Sequence, residues 1–279
     1  MNYSTKARML HWLATALTLA FIYFPLAIIA LYAFNSSRIQ RWPIDGLSLK
    51  WIDAAYHNPG ARDAISTSVK VALMATAVAL VLGSLAAFAV ARYRFFGRDA
   101  ISFLVVVPIA MPGIVTGMAL NSAFREAPLV GGVNLGLLTI VISHATFCIV
   151  LVYNNVVARL RRMSGNLEEA SADLGADPTQ TFRYVTFPTI RSALLAGGLL
   201  AFALSFDEII VTIFTAGSVQ TLPIWILSNY SRPNQGPIVN AVGLFAILLS
   251  ILPVYLAQRL TEGEDIARSS TATAPAAST

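Results

Sequence analysis

The fold class this chain predicts is an all-α integral membrane protein with six transmembrane helices, and three observations predict it. Of 279 residues, 56% are hydrophobic and 12% charged, with a mean hydropathy of +0.68, whereas an ordinary soluble domain carries about 25% charged residues. Six stretches come close to the roughly 20 apolar residues needed to cross a ~30 Å hydrocarbon core. The basic residues between them are distributed unevenly, as the orientation of a membrane chain requires.

The spans run approximately from His11 to Phe34, Ser66 to Ala91, Ile101 to Leu120, Leu135 to Val157, Ser192 to Thr215 and Pro237 to Ala257. The first is too long for the 7–15-residue apolar core of a secretory signal and no A-x-A site closes it, so it is read as an uncleaved helix. Pro25, Pro108, Pro112 and Pro253 fall inside spans and predict kinks. An even number of spans puts both termini on one side. With the termini inside, the cytoplasmic Lys and Arg outnumber the external ones about two to one. The net charge of +5 is then mostly a matter of topology, and no basic stripe with interleaved aromatics points to nucleic acid.

Residues 1–10 are thus a cytoplasmic N-terminus and residues 11–257 the membrane domain. Residues 258–279, rich in Ser, Thr, Ala and Pro, are expected to be a disordered cytoplasmic tail. The external loop from Asn35 to Asp63 carries Trp42, Trp51 and Tyr56, which suit the membrane interface. A second external loop, Ala216 to Gly236, is expected to hold a short helix and to meet a partner.

The cytoplasmic loop from Ala158 to Arg191 contains two helix grammars back to back. Asn166 can cap a first helix with Glu169 at N3, and Gly175 supplies its stop. Asp177, Pro178 and Gln180 then form a second capping box. Phe187-Pro188 should bend the chain before the fifth span, because the residue before proline is pushed from the α region. The product is a protrusion too short to span and suited to carrying force from a soluble partner.

At this loop the chain resembles the permease subunits of binding-protein-dependent ABC importers. The likeness rests on an EAA-type motif matched at Glu169, Ala170, Gly175, Val185, Phe187 and Pro188. Ser171 replaces the second Ala, while Val185 and Phe187 stand where Ile and Leu are commoner. The resemblance implies a MetI-like permease fold whose coupling helix, between the fourth and fifth spans, sits in a groove of an ATP-binding subunit. Glu169, Ala170, Ser171, Gly175, Ala176 and Pro188 would then be the coupling residues. It also implies an ATP-binding subunit dimer carrying ATP and Mg, a second permease subunit in a heterodimer, a substrate-binding protein, and a bacterial inner-membrane location. No cofactor is expected on this chain itself. None of its lysines, Lys6, Lys50 and Lys70, follows a glycine, so it has no P-loop of its own.

The segment SFDEIIVTIFTAG, from Ser205 to Gly217, with the following QTLP, is similar to spermidine/putrescine permeases. It places Asp207 and Glu208 some 22 Å along the fifth span from Ser192. A carboxylate there costs roughly 2.5–3.5 kcal/mol, so a pathway for a small cation is the expectation. Neighbouring residues are about 100° apart around a helix, so only one of the two should face the pathway. Permeases for phosphonates look alike here, and an ion-coupled secondary transporter would use the carboxylates as relays. Cys148 is the only cysteine, and His11, His57 and His144 are scattered, so neither a metal site nor an enzyme is indicated.

Overall fold

A computed structural model of the protein describes residues 5–126, 132–232 and 235–272. Apart from an isolated bridge between Asn35 and Leu47, the regular structure among these residues is helical. Two compact units result, Met1–Arg62 with Trp225–Leu248, and Asp63–Ile224 with Leu249–Thr279.

In the first unit α1 (Thr5–Ala33) is a continuous apolar helix through Pro25. It is followed by the short α2 (Lys50–His57). Trp51 of α2 is buried by the protein itself, so it is not available as an interfacial anchor, whereas Trp42 and Tyr56 are exposed as expected. The helix expected after the fifth span is α11 (Leu222–Tyr230), whose Trp225 is buried. Its indole is 3.0 Å from where a Cβ on Gly60 would stand, so only glycine fits there without a shift. The last helix, α12 (Gly236–Ala272), passes through Pro253 and continues well beyond the expected end of the sixth span. Residues 258–272 are therefore helical rather than unstructured: extending an existing helix needs no new nucleus, and nucleation is the costly step. The remainder of the expected tail, 273–279, lies outside the described residues.

The second unit is built on α6 (Leu137–Arg162), a helix buried along most of its length. Against it pack α3 (Pro59–Arg92) and α9 (Phe187–Asp207) in a shared cluster that includes Ala79, Ala87, Val90, Phe147, Val152, Val156, Leu160, Ile190 and Ala201. Both approach α6 at a glycine. A Cβ on Gly83 of α3 would lie 2.9 Å from the Ile149 carbonyl oxygen, and one on Gly197 of α9 would lie 3.1 Å from the Val152 Cα. Where lipid offers no hydrophobic drive for association, close backbone approach supplies the packing.

The third span departs from expectation. It is broken into α4 (Arg98–Ala110) and α5 (Gly113–Arg125), whose axes differ by 107°. Pro112 forces Met111 into an extended conformation (φ −84°, ψ 144°) and cannot donate to a preceding turn, so the kink becomes a break. Five helices among the described residues are thus long and apolar enough to cross a membrane, six if the bent pair is counted as one span.

Between α6 and α9 lie α7 (Asn166–Asp173), α8 (Pro178–Thr181) and one π-helical turn, Phe182–Thr186. The expected bend at Phe187-Pro188 is absent. Phe187 is helical (φ −60°, ψ −46°) and its amide donates to the Phe182 carbonyl, five residues back. That wider turn absorbs the register change around Pro188, so α8, the π turn and α9 form one continuous rod. The rod ends early, at Asp207, and α10 (Ile210–Thr215) resumes after a break.

Candidate functional site

Two constructions in the second unit carry chemistry that a membrane-spanning bundle does not need for its own stability. The first is the hairpin of α7 and α8. Its opening differs from the expected capping box. Asn166 lies within α7 and Gly165 precedes it, with no side-chain cap. The Gly165 carbonyl already accepts from the amides of Glu168 (3.0 Å) and Glu169 (3.2 Å), and the Leu167 amide turns back to Ser164. The first amides are satisfied by this preceding turn, so Asn166 and Glu169 have nothing left to cap.

The end of α7 follows the sequence closely. Gly175 has φ +84°, its amide donates to Ala172, and the Ala176 amide donates to Ser171 (3.1 Å). This pair of bonds is a Schellman stop, which needs a residue at home in the left-handed region. Asp177 and Gln180 then cap one another, Gln180 N to Asp177 Oδ1 at 2.9 Å and Asp177 N to Gln180 Oε1 at 3.0 Å. Ser171 Oγ and Thr181 Oγ1 lie 3.0 Å apart and join the two arms, so the residue that departs from the motif has a structural partner.

The carboxylate that fastens the hairpin is Glu168 rather than Glu169. Arg92, the last residue of α3, places its Nε 2.9 Å from Glu168 Oε2 and its second guanidinium nitrogen 3.1 Å from Oε1. Thr186 Oγ1, from the π turn, donates to the same Oε1 at 2.9 Å. Arg92 also reaches the Leu160 carbonyl near the end of α6. From α6, Arg159 Nε donates to the Thr189 carbonyl on α9 at 2.8 Å. The hairpin is thereby tied to α3 and to the π turn, while α6 is joined in turn to α3 and α9. Glu169, Ala170 and Gly175 remain exposed, Ser171 and Ala176 are half-buried, and Pro188 is exposed in the first turn of α9. Leu174, at the tip, is 89% exposed. From sequence alone the adjacent pair Glu168-Glu169 could not be resolved, because a one-residue error in helix onset exchanges the inward and outward carboxylates.

The second construction is the break between α9 and α10. Glu208 is extended (φ −68°, ψ 121°), and its side chain turns forward so that Oε1 accepts from the Val211 amide at 2.9 Å. Glu208 is thus occupied as the cap of α10. Asp207, the last residue of α9, is exposed, and its carboxylate makes no hydrogen bond or ion pair to another residue among those described. The two carboxylates thus differ in their partners, and the difference arises from the break rather than from their angular separation on one helix.

Other helices hold α10 and the residues flanking this break. Thr139 Oγ1 of α6 donates to the Thr215 carbonyl at 2.7 Å, and the Asn121 amide of α5 donates to the Phe214 carbonyl. His144 of α6, 1% exposed, lies between Ser205 Oγ and Thr212 Oγ1 at 2.8 Å from each. In the sequence this histidine stands far from His11 and His57. The polar run Ser143-His144-Ala145-Thr146 inside an apolar span was the only sequence feature that pointed to it. Among the described residues no group of His, Cys, Asp and Glu is arranged to hold a metal ion.

Residues 79–263 match the family described as binding-protein-dependent transport system inner membrane component. The putrescine transport system permease protein PotI of Escherichia coli K12 is 34% identical over 227 residues, covering 80% of each chain. The spermidine/putrescine transport system permease protein PotC of Haemophilus influenzae is 32% identical over 244 residues, 87% of this chain and 92% of that one. Among solved structures, a bacterial ABC transporter that imports alginate superposes with a TM-score of 0.65 at 16% identity, covering 94% of this chain and 99% of its own. The same fold appears in an alginate transporter bound to its pentasaccharide-loaded periplasmic protein, with a TM-score of 0.66 at 16% identity over 92% and 96% of the chains.

Proposed function

Because this chain belongs to the family of binding-protein-dependent transport system inner membrane components and is a permease subunit of an ABC importer, we propose that it carries a polyamine such as putrescine or spermidine across the inner membrane. The single observation that carries the choice of solute is the free carboxylate of Asp207 at the C-terminal end of α9. Carbonyls at a helix C-terminus add roughly half a negative charge to that of the side chain. A primary ammonium entering there exchanges hydration for charge-assisted hydrogen bonds. A neutral sugar would lack the charge of this pairing and an anion would be repelled by it. The relatives named for putrescine and spermidine support the same class.

The termini lie in the cytoplasm on this reading, and so does the α7–α8 hairpin. Its exposed Glu169, Ala170, Leu174 and Gly175 meet one member of an ATP-binding subunit dimer, which holds the ATP and Mg. Displacement of the hairpin is passed through Glu168 and Arg92 to α3, and through the unbroken α8–α9 rod toward Asp207. A second permease subunit completes the pathway, lipid surrounds the pair, and a substrate-binding protein delivers the amine at the face that includes α11. Release inward follows because one carboxylate at the end of a helix is a weak site for a solvated amine.

The assay is uptake of labelled putrescine and spermidine by the assembled transporter carrying Asp207→Asn or Glu208→Gln. Asp207→Asn raises the KM with little change in assembly. Glu208→Gln, which retains an oxygen able to cap Val211, has the smaller effect. Unchanged uptake of every polyamine in both variants, singly and together, would remove the physical support for a cationic solute.

A further inference from the structure

The break between α9 and α10 contains neither proline nor glycine: its residues are Glu208 and Ile209. An apolar span with no breaker would ordinarily continue as a helix, since lipid leaves freed backbone groups unsatisfied. Glu208 caps the helix that follows, and one group from outside the segment also spans the break. Ser205 precedes the break and Thr212 follows it, and one imidazole reaches both hydroxyls. Seven residues of unbroken helix would separate them by about 10 Å along the axis.

The hydrogen-bond directions follow from the partners. Thr212 Oγ1 donates to the Glu208 carbonyl at 2.8 Å, so its proton is committed and it can only accept from the histidine. His144 Nε2 therefore carries the proton and donates to Thr212. The unprotonated Nδ1 then accepts from the Ser205 hydroxyl. One chain of donors runs from Ser205 through His144 and Thr212 to the carbonyl of Glu208, the residue that caps α10. Every member is satisfied and buried or half-buried, which makes the arrangement specific to one geometry. Side chains that lack two nitrogens on opposite edges of a ring cannot reproduce it.

We propose that His144 is a positioning residue for transport: it locks the α9–α10 break through Ser205 and Thr212, and so keeps the Asp207 carboxylate free at the end of α9 where the solute passes. This rests on the assignment of Asp207 to the solute path. The imidazole does not itself touch the solute.

The test uses the assembled transporter with Thr212→Val, which keeps shape and loses the hydroxyl, Thr212→Ser, which restores it, and His144→Leu. Two quantities are read: amide hydrogen exchange of Ile210 to Thr212, and the KM for putrescine alongside ATP turnover. Thr212→Val and His144→Leu are expected to speed exchange at these amides by about three- to tenfold, the scale of one lost hydrogen bond. They raise the KM by a similar factor with ATP turnover unchanged, and Thr212→Ser behaves as the parent. Unchanged exchange in both Thr212→Val and His144→Leu overturns the lock. Faster exchange with an unaltered KM overturns its role in placing Asp207. If the parent transporter moves no polyamine, the choice of solute fails on its own, and the exchange measurements still decide whether His144 holds the break.

Discussion

Replacing Glu168 with glutamine is the perturbation that most directly probes how the hairpin is held. The Glu168 and Arg92 side chains are 26% and 22% exposed, and the carboxylate makes two contacts to the guanidinium and a third to Thr186. Fully exposed pairs contribute about 0–1 kcal/mol, whereas breaking a buried pair costs about 3–5 kcal/mol. Three-quarters burial with intact Thr186 bonding puts the loss near 2 kcal/mol, roughly a 30-fold shift toward the undocked hairpin. Amide exchange across 166–181 should rise by that factor, and ATP-driven uptake should fall while ATP hydrolysis persists. Exchanging the charges, Arg92→Glu with Glu168→Arg, should recover part of both. The neighbouring Glu169→Lys should leave exchange unchanged and lose uptake, because its carboxylate is exposed on the proposed coupling face rather than tied inward. Normal exchange and uptake in Glu168→Gln, or a double exchange no better than either single one, would refute the role of this tie.

Three further outcomes follow from the geometry. Gly83→Val should lower the thermal midpoint in detergent by the equivalent of about 1–3 kcal/mol, since its Cβ would stand 2.9 Å from the Ile149 carbonyl and the helices must part; an unchanged midpoint would mean that α3 and α6 can separate freely. Asp177→Ala should weaken α8 by about 1 kcal/mol and raise exchange at Gln180 and Thr181, as loss of a side-chain cap does. Ser231→Cys in a Cys148→Ala background should react with an impermeant thiol reagent from the external side, and labelling only from the cytoplasmic side would reverse the topology.

The parts of the fold legible in the sequence are those written in single-segment patterns. Apolar length located α1, α3, α6, α9 and the start of α12, and the Gly175 stop and the Asp177–Gln180 box appear where their residues predicted. What was not legible depends on partners distant in the chain. Pro112 signalled a kink, but the 107° break also uses the packing of α5 on α10, where a Cβ on Gly117 would fall 2.6 Å from the Phe214 ring. Pro188 signalled a bend, and a π turn of ordinary residues absorbed it. The break after Asp207 combines a local cap, Glu208 on the Val211 amide, with the distant His144, which reaches Ser205 and Thr212 on either side of it. The site was therefore half visible: Asp207 and Glu208 stood out by their insertion cost, while the division of labour between them required the Glu208–Val211 bond.

The central claim is an ATP-driven permease for a polyamine, and reconstitution tests it most directly. The chain would be assembled with its second permease subunit and ATP-binding subunits in proteoliposomes, with binding protein outside, ATP inside and labelled putrescine as solute. Putrescine should accumulate only when ATP and the binding protein are both present, an uncoupler should have no effect, and Asp207→Asn should raise the KM. Accumulation that persists without ATP and collapses with the uncoupler would contradict it.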